Sequence, residues 1–272
     1  MDRRQFLGAA TAALVAAPAL AQQTTSRRQR REINVLVWDE QQDVQVKSGA
    51  YENFLGNAIA EFLATVPGLH VVSANINEPE QGLTAERINS ADVILWWGHV
   101  RHKDVDDSKV ESIVARVKRG ECAFVALHSA HYSKPFKRLL GTRCGFAYVD
   151  SKKGKGYREY LRIVNPVHPI TKGLKDFEIP RTEIYAEPFE VPFPDKILIY
   201  GHWSNGHSFP DLCYWSVGPN GVARLARSRV RQPGKVIYFR PGHETFPIFK
   251  QPEVQEIIKR IVLWAASERH KA

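Results

Sequence analysis

Val93-Ile94-Leu95-Trp96-Trp97-Gly98-His99 is the stretch that decides the fold. Five apolar residues without a polar break have the length and texture of a strand buried on both faces, and Gly98 ends it. His99 then stands just beyond the carboxyl end. Two other segments share this form, Ala123-Phe124-Val125-Ala126-Leu127-His128 and Val236-Ile237-Tyr238-Phe239-Arg240-Pro241-Gly242-His243. In open parallel α/β sheets, ligands bind outside the carboxyl ends of the strands. Three imidazoles arriving there predict one shared metal or acid–base site.

Working outward, Ile33 to Trp38 predicts a first strand, Tyr51 to Val66 a helix stopped by Pro67-Gly68, and His70 to Ile76 a second strand. A short helix over 84–88 precedes the strand at 92–97. A helix over 108–118 precedes the strand at 122–127. This alternation predicts an α/β fold, a doubly wound, mostly parallel sheet of the flavodoxin-like kind. From Tyr157 the texture changes. Strands at 159–164 and 196–200 lie between Pro- and Gly-rich turns and predict an antiparallel extension. A buried strand at 235–239 and an amphipathic helix over 252–266 close the chain.

Outside this alternation lies a different kind of segment. Asp2-Arg3-Arg4-Gln5-Phe6-Leu7-Gly8, an alanine-rich run and Ala19-Leu20-Ala21 have the pattern of a twin-arginine signal peptide over residues 1–21. Residues 22–32, with Arg27-Arg28-Gln29-Arg30-Arg31, read as a basic disordered linker. Residues 33–267 read as a single domain, and the expected location is the periplasm. Hydrophobic residues make up 43% and charged residues 25%, which excludes wholesale disorder. The net charge of +9 accompanies no basic face with interleaved aromatics, so no nucleic-acid partner is expected. Nor is an integral membrane segment expected in the mature form. Three cysteines at wide spacing, Cys122, Cys144 and Cys213, form no disulfide framework.

Neutral imidazoles at His99, His128 and His243 suit a divalent metal ion, zinc or manganese first among several. A carboxylate from Glu183 or Glu187 completes such a sphere or serves as a catalytic base. His131, one turn beyond His128, is a further proton carrier. Trp38, Trp96, Trp97 and Tyr185 offer flat faces to a ring-shaped substrate, with one of Trp96 and Trp97 facing the cleft. Arg240 either binds a substrate hydroxyl or holds a carboxylate. Ser129 stands at the turn after a central strand but lacks the Gly-x-Ser-x-Gly context of a nucleophile. His168, between two prolines, reads as part of a structural loop.

Six segments in order resemble the ThuA-like family, the trehalose utilisation proteins, whose fold is similar to that of class I glutamine amidotransferases. They are Val37-Trp38-Asp39-Glu40, Trp96-Trp97-Gly98-His99, Leu127-His128-Ser129-Ala130-His131, His168-Pro169-Ile170-Thr171-Lys172-Gly173-Leu174, Glu183-Ile184-Tyr185-Ala186-Glu187 and Tyr238-Phe239-Arg240-Pro241-Gly242-His243-Glu244. The resemblance implies a sugar or keto-sugar substrate and adds Asp39 to the substrate-binding candidates. It implies elimination, isomerisation or hydrolysis of a 3-keto-glycoside. No cysteine stands at the turn after the 122–127 strand, so amidotransferase chemistry is not expected. The alternatives are a periplasmic carbohydrate-binding protein and a metal-assisted hydrolase of another substrate. A homo-oligomer is compatible with all three.

Overall fold

Residues 31–150, 156–223 and 233–267 are described by the structure, a computed structural model. The signal peptide expected over 1–21, and all of the basic linker but Arg31 and Glu32, lie outside them. In chain order the elements begin with β1 (Ile33–Asp39), α1 (Asp43–Lys47), α2 (Leu55–Ala64), β2 (Leu69–Asn75), α3 (Ala85–Ser90), β3 (Val93–Trp97), α4 (Asp107–Lys118) and β4 (Ala123–Leu127). A 3-10 turn (His128–Tyr132) leads to α5 (Lys134–Leu140) and β5 (Phe146–Asp150). The rest are β6 (Tyr157–Ile163), β7 (Phe177–Thr182), β8 (Ile184–Phe189), β9 (Lys196–His202), β10 (Ser208–Gly218), β11 (Gly221–Val222), β12 (Gly234–Phe239) and α6 (Pro252–Ser267).

Strand order in the main sheet is β2-β1-β3-β4-β12-β10-β9-β6-β7, with β11 paired to β10. The pairs from β2 through β12 are parallel, and those from β12 through β7 are antiparallel. The expected doubly wound parallel sheet with an antiparallel extension is what the chain forms. The chain runs from β1 to β2 on one side and resumes with β3 on the other, so the order reverses between β1 and β3, where a crevice opens at the carboxyl ends. A separate two-stranded sheet joins β5 to β8.

Successive strand residues point to opposite faces, and both faces are covered. Val35, Val37, Leu95, Trp97, Val125 and Phe239 pack with Leu55, Ile59 and Ile261 from α2 and α6. Leu36, Trp38, Ile94, Trp96, Phe124 and Tyr238 pack with Ile88, Ile113 and Phe136 from α3, α4 and α5. Trp38 lies opposite Trp96 in the β1–β3 register, and their rings stack with centroids 3.9 Å apart. The Trp38 indole N–H donates to the Gln81 carbonyl at 2.8 Å, and that of Trp97 to the Gly242 carbonyl at 2.9 Å. Trp38, Trp96 and Trp97 are therefore core residues, and none of them offers a face to a substrate. A parallel strand gives an aromatic residue no solvent side to choose. Each ring removes about 150–250 Å² from water, roughly 4–6 kcal/mol at about 25 cal/mol per Å².

Local chemistry sets the helix ends. The Thr84 hydroxyl accepts from the Arg87 amide to start α3. Ser133 does the same for Phe136 in α5, and Gly141 ends α5 in the left-handed conformation. α2 begins at Leu55 rather than at Tyr51, because Phe54 has φ 59° and Tyr51 turns into the core, donating its hydroxyl to the Phe246 carbonyl at 3.0 Å. All three cysteines are buried.

Candidate active site at the strand ends

β4 stops at Leu127, and His128 takes φ 51°, a left-handed conformation that costs energy for any residue with a Cβ. Ser129 is buried, and its hydroxyl donates to the Gly98 carbonyl at 3.0 Å, fastening the turn after β4 to the turn after β3. It is a latch rather than a nucleophile. The strained position displays His128. Its Nδ1–H donates to the Arg240 carbonyl at 2.8 Å. Its Nε2 lies 3.3 Å from Glu183 Oε2 and 3.3 Å from the Tyr185 hydroxyl, with the Tyr185 ring stacked on the imidazole.

This arrangement fixes a proton. The Arg240 carbonyl can only accept, so Nδ1 carries hydrogen. An ionised Glu183 also can only accept, so without a hydrogen between them Nε2 and Oε2 are two acceptors face to face. The Tyr185 hydroxyl at 3.3 Å can donate to a neutral Nε2, and a cation, in its simplest form a shared proton, can bridge His128 and Glu183. Burial alone would raise the Glu183 carboxyl, but the hydrogen bond and charge of His128 hold it below the usual carboxylate range.

His243 brings its ring to 5.7 Å from that of His128. Its Nδ1 accepts from the Thr245 amide at 3.2 Å, so in the neutral ring Nε2 carries the hydrogen. Burial, then the neighbouring His128, lowers its pKa. His99, the last and weakest of the neighbours that influence Glu183 and His243, stands just beyond the end of β3. It is placed by a residue that the sequence reading missed. Glu40, buried directly after β1, accepts from the backbone amides of His99 (2.7 Å), Val100 (2.9 Å) and Arg101 (2.9 Å), and from the Gln42 side chain (2.9 Å). Three consecutive amides converge on one carboxylate, and a Cβ on Gly98 would stand 3.3 Å from its Oε2. A carboxylate immediately following a buried strand was the available signal.

The sequence-derived candidates thus divide. His128, His243, Glu183 and Tyr185 come together, with His99 on the neighbouring strand end; Tyr185, buried and stacked between His128 and Phe146, has no face free for a substrate. Arg240 does not face a substrate; it is fully buried, donating to Glu159, to Asp211 at 2.5 Å, and to the Glu183 carbonyl at 3.0 Å. Of its two expected roles it takes the carboxylate-holding one. Asp39 does not bind substrate either. Its Oδ2 accepts from the Gly56 amide at 2.8 Å and its Oδ1 from Gln41 and Gln45, so it caps the start of α2, and burial pushes its pKa up to about 6. His131 is no exposed base. It is fully buried, its Nδ1–H donates to the Cys144 carbonyl at 2.6 Å, and burial lowers its pKa to about 3. Tyr132 and Phe146 wall it in, with ring centroids at 3.9 and 4.7 Å. Glu187 is exposed on β8 and accepts from the Tyr200 hydroxyl at 2.7 Å, apart from the histidines. His168 packs on Tyr214 and Trp264.

The donor set fits a divalent metal in kind. His128 has one nitrogen anchored on a carbonyl, as ligating histidines do, while the other faces a carboxylate with no hydrogen-bond donor required between them. In placement it is not drawn together. Among the described residues, no three His, Cys, Asp or Glu side chains are grouped closely enough to hold a metal ion. Ligation would require His99 or His243 to swing toward the pair.

Among solved structures, the chain is similar to a glutamine amidotransferase from Thermotoga maritima. The TM-score is 0.41 at 8% identity, over 88% of this chain and 97% of that one. The glutaminase domain of a Trypanosoma brucei CTPS with bound acivicin gives 0.40 at 9% identity, over 86% and 94%. A stretch of 60 residues is 35% identical to resveratrol cleavage oxygenase 1 of Aspergillus fumigatus, covering 21% of this chain and 12% of that protein's length. None of these likenesses carries a chemical argument. The family profile described as ThuA, trehalose utilisation, matches residues 34–265. That span holds every strand of the sheet but the first residue of β1, together with all the strand-end histidines, and the chain belongs to the ThuA family of trehalose utilisation proteins.

Proposed function

We propose that the chain is an exported enzyme of sugar utilisation that acts on keto-glycosides, breaking or shifting a bond next to the ketone by proton transfer. The observation that carries this reading is the His128–Glu183 pair, an imidazole nitrogen 3.3 Å from a carboxylate oxygen at the carboxyl ends of parallel strands. A ketone acidifies the adjacent C–H, and the enolate left by proton removal is the intermediate most in need of stabilisation. Glu183, held ionised, accepts the proton. The His128 Nε2–H donates to the enolate oxygen as charge develops there. Elimination then needs a donor for the departing oxygen, and Glu183, carrying the proton it has just taken from carbon, returns it there and regains its ionised form. A divalent ion, zinc or manganese, belongs to the proposal: His128, Glu183, His99 and His243 would hold it, and when bound it would polarise the ketone in place of the shared proton.

A non-catalytic carbohydrate binder is less well supported, because the tryptophans it would use as platforms lie in the core. The test is turnover of a 3-keto-glucoside against the plain glucoside in deuterium oxide, with metal analysis of the purified protein. The keto-sugar is expected to be consumed, with deuterium entering next to the ketone or an unsaturated keto-sugar appearing. Equal turnover of both sugars without deuterium uptake overturns the proposal and favours ordinary hydrolysis. Tight binding of either sugar without turnover favours the binding-protein reading.

A further inference from the structure

Arg240 is surrounded by more negative charge than it can balance. Glu159 on β6, Asp211 on β10 and Arg240 after β12 are all fully buried. One oxygen of each carboxyl accepts from the guanidinium. The remaining oxygens, Glu159 Oε1 and Asp211 Oδ2, are buried with no hydrogen-bond donor against them. Both lie 2.3 Å from the place a Cβ on Gly201 would occupy, so the two carboxyls meet in the space left by that missing side chain on β9. Two ionised carboxylates there would repel each other and leave one buried negative charge unbalanced, which burial away from water makes strongly unfavourable. A hydrogen between the bare oxygens removes both penalties and leaves the group neutral.

We propose that Glu159 and Asp211 share a single proton, and that this neutral knot with Arg240 positions His128 and Glu183. The carboxyls hold the guanidinium, which donates to the Glu183 carbonyl, and the same residue's own carbonyl accepts from His128 Nδ1–H. Burial first, and Asp211 after it, raise the Glu159 carboxyl well above its ordinary value, in keeping with a retained proton. The other titratable groups against the knot are Tyr238, Tyr185 and Cys213, each kept neutral by burial. Trp203 closes it with its ring 5.0 Å from the guanidinium carbon. The positioning part rests on the proposed role of the His128–Glu183 pair; the proton count does not.

The charge count makes an unusual prediction. In Glu159→Gln the amide N–H replaces the shared proton, and in Asp211→Asn the other side supplies it, so either single variant keeps the knot neutral and hydrogen-bonded. The double variant leaves Arg240 buried with no counter-charge. Each single variant is therefore expected to keep a melting temperature near the parent's, and the double variant to melt far lower or fail to fold. The parent is expected to show a protonated-carboxyl stretch in the infrared at neutral pH that is missing from Glu159→Gln. For positioning, the His128 Nδ1–H proton resonance should persist in Glu159→Gln and vanish in Glu159→Ala. If each single variant is as unstable as the double, or the infrared band is absent from the parent, the shared proton is wrong. An unchanged His128 resonance in a folded Glu159→Ala overturns the positioning role alone.

Discussion

Replacing Glu40 with glutamine tests whether one carboxylate holds the whole turn after β3. The side chain is 1% exposed, so solvent screening does not dilute its bonds. It accepts four hydrogens, three of them from consecutive backbone amides. Bonds to a buried charge contribute about 1.5–3 kcal/mol each. The amide keeps one oxygen, which can still serve His99 and Arg101 with neutral strength. Its NH₂ must then face the Val100 N–H, donor against donor, and that amide is left without a partner. The Gln42 amide can turn its own oxygen toward the new NH₂ and so keeps a bond, while one lost backbone bond and two weakened ones give about 3 kcal/mol, which for a domain of this size lowers the melting temperature by roughly 6–12 °C. Chemical denaturation with a thermal scan measures this directly. The same variant is expected to lose activity through misplacement of His99, with kcat falling more than KM rises. A loss of stability under about 1 kcal/mol would refute the reasoning, because it would mean water replaces the carboxylate without penalty.

Three further expectations follow from the site and the termini. Glu183→Gln and His128→Asn should each lower turnover of a keto-glycoside by about 10²–10⁴ while the protein stays folded, as befits loss of a proton-transfer group; retention of full activity removes the pair from the mechanism. His131 has its folded pKa depressed to about 3 from 6.5, so its contribution to stability is present above pH 6.5 and is lost as pH falls toward 3. The parent's stability should accordingly fall between pH 6.5 and 5 by up to about 1.4 kcal/mol per pH unit more than that of His131→Phe, and equal slopes in urea titrations would contradict this. Exchanging Arg3 and Arg4 together for lysine should strand precursor in the cytoplasm, and normal export of that variant would end the twin-arginine reading.

Much of the architecture was legible because a parallel strand buried on both faces is written as an unbroken apolar run, and β3, β4 and β12 are three of them. The parallel pairing of β3 with β4 follows from α4, a helix long enough to cross over between them. The nearness of His128 and His243 was legible for the same reason, since each follows such a run. What stayed hidden depends on partners distant in the chain. Nothing near Arg240 announces that Glu159 and Asp211 will enclose it, since they arrive from β6 and β10. Asp39 and Glu40 are adjacent and chemically alike, yet one caps α2 and the other binds the β3 turn, a division made by strand pleating. Trp38, Trp96 and Trp97 were misread because an aromatic at the end of a strand looks the same in the sequence whether a helix or a substrate covers it. The β5–β8 sheet lies in a region of mixed turns where periodicity gives no register.

The pairing of β12 with β4 has a consequence for the newborn chain. At synthesis rates of about 5–20 residues per second, the stretch from Leu127 to Gly234 takes on the order of 5–20 s to emerge. Throughout that wait, Ala123–Leu127 is a bare, apolar sheet edge without charge or proline, the kind of margin that recruits foreign strands. Arg240 and His243 are made later still, so His128 lacks the carbonyl that anchors it until nearly the whole sheet has been translated. Under the proposed export route, which carries folded proteins, this vulnerable interval belongs to the cytoplasm. A chaperone that shields the β4 edge there would govern yield without ever touching the finished protein.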